Sequence, residues 1–303
     1  MEIHNLQLYN ADNLEIMATL PDESIDVVCI DPPYLYLKNQ KLERPFDEQK
    51  FFAECKRLLT KKGFIVIFGR GTSFYRWNTM LDGLGFVFKE EVIWDKKRTT
   101  SPCLPIGRRH ETVAIFTKKE GIINRCKISY IERKKYNIES IASDVRYIRN
   151  TIKDSNKLLK IQQFLEKEMP IEYKDRTTIG KNSVTIKNNS LKKEDDFMRC
   201  VRIMKEGVIE EILITVSREE TKNSIHPTQK PVRLLERLLA LVIPKDKPRN
   251  EVVVADFFAG SMSCMEAVHN MGMKGIATEI DQEYFEKGKQ RIMQLQPKLL
   301  NEA

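Results

Sequence analysis

Short apolar runs that end abruptly at a polar residue recur in the first third of the chain. Residues 24–30 contain the run Val-Val-Cys-Ile, which stops at Asp31, and residues 64–68 form a second run, Phe-Ile-Val-Ile-Phe. Between them, residues 47–60 place their apolar side chains at the spacing of one helical face. Strands that alternate with such helices are typical of a largely parallel sheet covered on both faces.

The same alternation continues to about residue 117 and returns after residue 222. Further helices are predicted at residues 72–84, 231–242, about 262–271 and 282–295. Further strands are predicted at residues 86–94, 112–117, 252–255 and 275–278. The pattern predicts an α/β protein whose sheet draws strands from both ends of the chain.

Residues 119–221 have weaker periodicity and are rich in Lys, Arg, Asn, Ser and Ile. The chain carries a net charge of +8, and residues 96–225 hold 29 Lys and Arg against 18 Asp and Glu. A basic excess confined to one region points to a polyanion partner that this region meets. Tyr130, Tyr136, Tyr147 and Tyr173 are interleaved with its basic residues, which suits base stacking. An ordinary solvated helical insertion is the alternative.

Composition narrows the class of protein. The chain of 303 residues is 41% hydrophobic and 31% charged, as expected of a soluble globular protein. No apolar run approaches the roughly 18 residues of a membrane span, and no secretory signal is expected at the start. The six cysteines are scattered without a C-x-x-C pair. A reducing cytoplasm is therefore the expected location, and no membrane partner is expected.

The segment from residue 252 to residue 281 has the layout of a site for an adenosine-containing cofactor. A buried strand ends at Asp256, a turn of small residues follows at Ala259-Gly260-Ser261, and a second strand ends at Glu279. Such a turn lets a ligand approach the backbone, and the second acid takes the two ribose hydroxyls. A single glycine gives poor anchorage for a pyrophosphate, so a cofactor without phosphates fits better. An ordinary strand–turn–helix is the alternative.

The tetrapeptide Asp31-Pro32-Pro33-Tyr34 follows a buried strand, where open α/β sheets place their ligands. Two prolines hold the backbone in a rigid extended turn, which presets the Asp31 carboxylate and the Pro32 carbonyl as a pair of acceptors. Two acceptors are what an exocyclic NH2 group needs, and Tyr34 offers a flat face for an extruded base. A plain structural turn is the alternative.

The order of these motifs resembles that of the amino-methylating DNA methyltransferases of the β arrangement. In that family a (D/S)PPY segment comes first, a target-recognition region follows, and an FxGxG segment comes last. Here Asp31–Tyr34 precedes the basic region, then the run HPTQKP at residues 226–231, then Phe258-Ala259-Gly260-Ser261. The HPTQKP run is the most specific of these signals.

The resemblance implies a circularly permuted, Rossmann-like methyltransferase fold with an inserted basic recognition region. It implies a catalytic half at residues 1–118, a target-recognition region at 119–221 and a cofactor-binding half at 222–303. The cofactor would be S-adenosyl-L-methionine, and the substrate would be double-stranded DNA with a flipped target base. Aspartate at position 31 favours the N6 amine of adenine over the N4 amine of cytosine. A cognate restriction enzyme is a candidate partner, and the protein is expected to be a monomer or a homodimer.

The resemblance implies that the catalytic residues, which bind the target amine, are Asp31, Pro32, Pro33 and Tyr34. The predicted cofactor-binding residues are Asp12, Asn13, Asp31, Thr228, Gln229, Lys230, Asp256, Phe257, Phe258, Ala259, Gly260, Ser261, Glu279 and Ile280. Among these, Glu279 would bind the ribose, Asp12 and Asn13 would lie near the adenine, and Lys230 would close over the cofactor. No metal is expected, because His110 and His226 are better interpreted as structural hydrogen-bonding residues.

The sequence departs from the family pattern at two positions. Met262 replaces the second glycine of FxGxG, and Phe257 replaces the usual proline. If residue 262 has a positive φ, methionine costs on the order of 1 kcal/mol. Its side chain would also crowd the cofactor pocket or the first turn of the next helix. A nucleic-acid-binding module with impaired cofactor binding is therefore a second hypothesis, and methylation of RNA or protein is a third.

Overall fold

The computed structural model describes residues 1–34, 44–99, 105–134, 137–151, 177–179, 184–186, 202–218, 225–226 and 228–296. Within these residues the strands are β1 (Glu2–Ile3), β2 (Leu6–Tyr9), β3 (Ile25–Ile30), β4 (Leu59–Gly69), β5 (Val87–Asp95), β6 (His110–Thr117), β7 (Lys127–Ile128), β8 (Thr177–Ile179), β9 (Val184–Ile186), β10 (Val208–Ile209), β11 (Leu213–Thr215), β12 (Val253–Asp256) and β13 (Lys274–Thr278). The helices are α1 (Asn13–Thr19), α2 (Glu48–Leu58), α3 (Gly71–Gly83), α4 (Tyr130–Lys134), α5 (Ile138–Thr151), α6 (Val232–Val242), α7 (Ser263–Asn270) and α8 (Gln282–Met293).

The described residues divide into two compact units. One unit comprises Met1–Arg125 with Glu211–Ala303, and the other comprises Cys126–Glu210. The boundaries predicted from the sequence, at residues 118 and 222, divide the chain by the expected role of each part and not by its packing. They stay a prediction. No helix among the described residues is long and apolar enough to cross a membrane.

The first unit contains one sheet with the strand order β1-β2-β13-β12-β3-β4-β6-β5-β11 among the described residues. Every neighbouring pair from β2 to β4 is parallel, and β11 is parallel to β5. Strand β6 runs antiparallel to both of its neighbours, β4 and β5. Strands β12 and β13 come from the end of the chain and enter the sheet beside β3, as a circular permutation predicts.

Helices cover both faces of this sheet. All six residues of β3 are buried, and successive side chains of a strand point to opposite faces, so both faces are shielded from water. Helices α1, α2 and α3 bury Met17, Phe51 and Trp77 in one core cluster with the sheet. Helix α6 lies against β3 and β4, and α7 lies against β12 and β13.

Three helices of this unit begin at an aspartate whose side chain accepts a backbone N–H of the first turn. Asp12 caps α1 through Leu14 N at 2.8 Å, Asp47 caps α2 through Lys50 N at 3.0 Å, and Asp281 caps α8. Such caps satisfy N–H groups that lack an intrahelical partner. Strand β4 begins five residues before the predicted strand, because Leu59 already pairs with Ile25 of β3.

In the second unit, β7 pairs with β10 and β8 pairs with β9, both antiparallel. Asp144 of α5 accepts a hydrogen bond from the Tyr130 hydroxyl at 2.6 Å and forms an ion pair with Lys134 at 2.8 Å. These two contacts join α4 to α5. Tyr130 is buried, so its ring is not exposed for base stacking as predicted. Tyr136, Tyr173 and the side chain of Tyr147 lie outside the described residues.

Candidate active site

A cavity of about 200 Å³ opens at the carboxyl ends of β3, β12 and β13. Because the carboxyl ends of parallel strands share one edge of a sheet, polar residues that follow these strands meet there. All of the predicted site residues line it: Asp12, Asn13, Asp31, Pro32, Pro33, Tyr34, Thr228, Gln229, Lys230, Asp256, Phe257, Phe258, Ala259, Gly260, Ser261, Glu279 and Ile280. Pro227 lies outside the described residues.

Asp31 is the first residue after β3, and both of its carboxylate oxygens have partners. The Tyr34 hydroxyl donates to Oδ1 over 2.6 Å, and the ammonium group of Lys230 forms an ion pair with Oδ2. The carbonyl of Tyr34 accepts a hydrogen bond from the buried Ser73 hydroxyl of α3 at 2.6 Å, which fixes the backbone of the turn. Burial raises the pKa of Asp31, and the Lys230 charge opposes that rise.

Lys230 lies among anionic and aromatic groups rather than in open solvent. Its Nζ atom is 3.3 Å from Glu111 Oε2 and 5.0 Å from the centre of the Phe68 ring. Burial lowers the pKa of Lys230, but the charges of Asp31 and Glu111 outweigh it and raise the pKa overall. Sequence reasoning assigned Lys230 to the cofactor, whereas its ammonium group contacts the predicted catalytic carboxylate.

Glu279 ends β13 and holds the turn after β12. Its Oε2 accepts the backbone N–H of Gly260 at 2.8 Å, and its Oε1 accepts the N–H of Asp281 at 2.8 Å. Burial raises the pKa of Glu279, and these two backbone hydrogen bonds oppose the rise. Each carboxylate oxygen can accept a further hydrogen bond, so Glu279 retains the capacity to bind a diol.

Asp256 ends β12 and is 7% exposed. It accepts the backbone N–H of Phe258 at 3.1 Å. Burial raises the pKa of Asp256 to about 7. A cationic group bound beside it in the cavity would stabilise the carboxylate form.

The turn at residues 259–262 is tight and contains two left-handed residues. Gly260 has φ +48° and Met262 has φ +59° with ψ +21°. The strain predicted for methionine is therefore present, but the crowding of the pocket is not. The Met262 side chain is fully buried and is absent from the described cavity lining, and it packs against Gly288 of α8.

Several of the predicted cofactor residues use their side chains for local structure. Asn13 donates to the carbonyl of Phe257 at 3.4 Å, and Gln229 accepts the N–H of Ile225 at 3.1 Å. His226 lies 3.0 Å from the Thr228 hydroxyl through Nδ1, and burial lowers its pKa to about 4. The neutral ring of His226 agrees with its interpretation as a structural residue.

Sequence reasoning missed a group of cavity residues that follow the catalytic turn. Arg44 forms an ion pair with Asp281 at 3.3 Å, and the Phe46 ring lies 5.0 Å from the Phe258 ring, centre to centre. Both residues belong to a loop without hydrophobic periodicity, so no pattern marked them. Asp281 was detectable, because it precedes a predicted helix as a capping aspartate.

Comparison with known proteins identifies this arrangement. The family described as DNA methylase, which acts on N6 and N4 amines, matches residues 25–290. The chain belongs to this family. The match covers most of the chain, including the catalytic turn, the HPTQKP segment and the cofactor turn, and it confirms the resemblance seen in the sequence.

Curated relatives of this DNA methylase align along nearly its whole length. The type II methyltransferase M.HinfI of Haemophilus influenzae is 23% identical and covers 96% of this chain and 69% of its own. The type II methyltransferase M.BglII of Bacillus subtilis is 22% identical, with coverages of 93% and 67%. The DNA adenine methyltransferase YhdJ of Escherichia coli K12 is 25% identical, with coverages of 94% and 82%.

Solved structures confirm the fold of the DNA methylase. The PvuII cytosine-N4-specific DNA methyltransferase matches with a TM-score of 0.56 at 16% identity, covering 99% of this chain and 90% of its own. M1.HpyAVI in complex with SAM matches with a TM-score of 0.53 at 18% identity, covering 94% and 99%. The fold is therefore the Rossmann-like methyltransferase fold.

Membership of the family makes this chain an amino-methyltransferase that acts on DNA, at N6 of adenine or N4 of cytosine. Its cofactor is S-adenosylmethionine, on which the family depends. The described residues fit that group. Glu279 offers acceptors for a ribose diol, Asp256 offers a buried carboxylate for an ammonium group, and the Phe258 ring offers an apolar wall.

Proposed function

We propose that this DNA methylase transfers a methyl group to the N6 amine of adenine in a flipped-out base. The observation that carries the proposal is that Asp31, Pro32 and Tyr34 line the same cavity as Glu279 and the turn at Gly260. A group held by the cofactor residues and a base held by the catalytic turn would therefore lie within one cavity. Both groups occupying it would displace water and hold the reacting atoms close together, on which transfer depends.

Asp31 and the Pro32 carbonyl would each accept one N–H of the target amine. Both hydrogen bonds favour a pyramidal nitrogen, which frees its lone pair from the ring for attack. S-adenosylmethionine supplies an electrophilic methyl carbon bonded to a positively charged sulfur. The methyl group would pass from that sulfur to the amine nitrogen, leaving the neutral thioether of S-adenosylhomocysteine, and the N–H proton accepted by Asp31 would be released through that carboxylate to solvent. The Tyr34 ring would stack on the flipped base.

Glu279 would bind the ribose hydroxyls, and the turn at Gly260 and Ser261 would contact the methionine part. Asp256 would face its ammonium group. Residues Asp12 and Asn13 begin α1 at the cavity, which suits contact with the adenine ring. The remaining predicted contacts, from Thr228, Gln229 and Ile280, belong to the same proposal because these residues line the cavity.

Adenine is proposed over cytosine because the catalytic turn begins with aspartate and one curated relative, YhdJ, is named an adenine methyltransferase. The N4-cytosine alternative is kept because the PvuII enzyme is named cytosine-N4-specific. Two relatives are named type II methyltransferases, so a cognate restriction enzyme is proposed as a partner. Methylation-sensitive sequencing of DNA from cells that express the chain would read the recognised site directly.

The deciding experiment is transfer of a labelled methyl group to DNA, followed by mass spectrometry of the nucleosides. N6-methyladenine is expected, and N4-methylcytosine would overturn the base assignment. Asp31→Ala should abolish transfer while calorimetry still detects S-adenosylmethionine binding. Asp246→Ala is the matched control, because Asp246 is exposed and pairs with Lys62. Transfer that persists in Asp31→Ala would refute the mechanism.

The geometry of Met262 argues against a module with impaired cofactor binding, because its side chain leaves the cavity. Calorimetry with S-adenosylmethionine tests this alternative, since such a module would bind DNA but not the cofactor. A panel of DNA, RNA and protein substrates at fixed salt tests the choice of substrate, because polyanion binding depends strongly on salt.

A further inference from the structure

Four charged side chains of alternating sign form a continuous line beside the catalytic turn. Asp31 pairs with Lys230, Lys230 lies 3.3 Å from Glu111, and Glu111 pairs with Lys96. Lys230 and Lys96 are 8% and 6% exposed in their side chains, so this is a buried network rather than a surface one. Buried charges of this kind hold their geometry only when each is paired.

The antiparallel strand β6 brings Glu111 into this line. Glu111 is the second residue of β6 and pairs with Trp94 near the end of β5. Since β6 runs opposite to β4 and β5, its beginning lies at the edge where those strands end. The next residue, Thr112, pairs with Gly69 at the end of β4. Glu111 therefore lies at the same edge of the sheet as Asp31, although it lies at the beginning of its strand and the other acids of the site lie at the ends of theirs.

Lys230 competes with a substrate amine for Asp31. The amine must donate to an Asp31 oxygen. Each oxygen can accept a second hydrogen bond, but Oδ2 faces the Lys230 ammonium, whose hydrogens would meet those of the amine, and Oδ1 faces the Tyr34 hydroxyl. Lys230 carries three donors and would have to release Oδ2 for the amine to dock without repulsion. A second anion within reach would let Lys230 move without becoming an unpaired buried charge.

Glu111 has an oxygen available for that purpose. Its Oε1 is held by Lys96, whereas its buried Oε2 has the Lys230 ammonium 3.3 Å away as an ion-pair partner and meets no hydrogen-bond geometry among the described residues. Leaving a buried acceptor unsatisfied is unfavourable. A small movement of Lys230 toward Oε2, from the present 3.3 Å, would satisfy it.

We infer that Glu111 is a positioning residue that receives Lys230 when the target amine docks on Asp31. Lys96 holds Glu111 in place through its other oxygen. Lys230 thus alternates between two carboxylates, and the amine occupies Asp31 Oδ2 as Lys230 leaves it. This inference rests on the proposed function, in which Asp31 binds the amine, and extends it to a residue outside the catalytic turn.

The network also links Glu111 to the protonation of Asp31. The groups that face Asp31 are Lys230, Glu111, Asp256 and the Tyr34 phenol, and those that face Glu111 are Lys230 and Lys96, with Arg218 beside Lys96. The negative charge of Glu111 raises the pKa of Asp31, and Lys230 lowers it. Removing the Glu111 charge would therefore lower the pKa of Asp31. It would also leave Asp31 as the one carboxylate of this network that pairs with Lys230.

The test is Glu111→Gln in the full chain, assayed for methyl transfer at saturating S-adenosylmethionine. We expect kcat to fall 10- to 100-fold with KM for DNA within about twofold, because phosphate contacts elsewhere dominate DNA affinity. The acid limb of the kcat–pH profile should move to lower pH. A residue that merely supports the fold would not move that limb. The exposed Glu91→Gln, in the neighbouring strand β5, should match wild type.

Glu111→Asp is the second variant, since it keeps the charge with a shorter reach. It should lose less kcat than Glu111→Gln and keep the wild-type acid limb, and it replaces Glu111→Gln should that variant fail to bind S-adenosylmethionine. Wild-type kcat in Glu111→Gln, or equal losses in both variants without a moved limb, would overturn the inference. Absence of transfer by the wild-type chain would instead refute the proposed function.

Discussion

The side chain of Met262 lies so close to Gly288 that a Cβ added at Gly288 would come within 2.4 Å of Met262 Cγ. Met262 occupies the left-handed position that precedes α7, and Gly288 lies in the middle of α8. The absence of a side chain at Gly288 gives the methionine a place outside the cavity. The departure from the family pattern at residue 262 is thus matched by a glycine on a neighbouring helix.

Gly288→Ala should destabilise the protein although alanine favours a helix. The added Cβ would also come within 3.3 Å of the Gly260 carbonyl oxygen. A movement of the Met262 side chain would therefore not remove the whole clash. Overpacking of about 1–3 kcal/mol outweighs a helix gain of about 1 kcal/mol, and a net loss of about 1 kcal/mol is expected. Urea unfolding measures the change in free energy of unfolding.

Gly83→Ala is the control for that substitution, because nothing lies within 4 Å of its added Cβ at the end of α3. Combining Gly288→Ala with Met262→Ala should cost less than the sum of the single losses, by about 0.5 kcal/mol or more. Equal stability of Gly288→Ala and Gly83→Ala would contradict the proposed packing.

Asp256 should make the stability of the protein depend on pH. Its pKa in the folded protein is about 7, above the ordinary 3.8, so the folded state binds the proton more tightly than the unfolded chain does. The free energy of unfolding should therefore fall as pH rises from about 4 to about 7, by up to about 1.4 kcal/mol per pH unit. Urea unfolding of wild type and Asp256→Asn across this range measures the difference.

The Asp256 carboxyl group should also make cofactor affinity depend on pH, with affinity rising where stability falls. An ammonium group beside Asp256 stabilises the carboxylate, so the affinity for S-adenosylmethionine should rise as pH increases through about 7. Calorimetry at pH 6 and pH 8 should show this rise in wild type and not in Asp256→Asn. A wild-type affinity that does not change with pH would be inconsistent with an ammonium group at Asp256.

Glu279→Gln should weaken S-adenosylmethionine binding by about 10- to 100-fold. The amide nitrogen of glutamine cannot accept from Gly260 or Asp281, and a neutral acceptor binds hydroxyls less strongly than a carboxylate. Calorimetry measures the change in Kd. Glu283→Gln, in the first turn of α8 and well exposed, should bind like wild type. Equal affinities in the two variants would exclude Glu279 from the cofactor site.

Lys230→Met should cost up to about 3 kcal/mol of unfolding free energy at pH 7, because it leaves the partly buried Asp31 without its cation. A buried unpaired carboxyl group binds a proton more tightly than it does in the unfolded chain. The loss should therefore shrink as pH is lowered toward 5. Urea unfolding at both pH values measures it, with the exposed Lys287→Met as control, for which a change within about 1 kcal/mol is expected.

The strand-end acids were predictable because each follows an apolar run that stops at it. Asp31, Asp256 and Glu279 lie at one edge of the sheet because parallel strands end together, and the likeness to solved methyltransferase structures confirms the α/β interpretation. The strand β2 was not predicted, since its alternation covers just four residues. Such a short alternation has no clear period in the sequence.

The run Arg109-His110-Glu111 before the strand resembles the family's pattern, but the contact of Glu111 with Lys230 could not be predicted from the sequence, for a different reason. A strand at residues 112–117 was predicted, but its direction relative to its neighbours is a property of the sheet. Its approach to Lys230 depends on that direction. In the same way, the sequence raised the possibility of a positive φ at Met262, but the direction of the side chain depends on Gly288, which lies in a separate helix.

The pairing of β12 with β3 joins Val254 to Val27, residues from opposite ends of the chain. During synthesis the catalytic turn would leave the ribosome well before the wall of the cavity opposite it. A nascent chain would therefore be unable to complete this cavity until Glu279 had emerged. Occupancy by S-adenosylmethionine would then report that translation had passed Glu279, and a truncated product would carry a catalytic turn with nothing to act with.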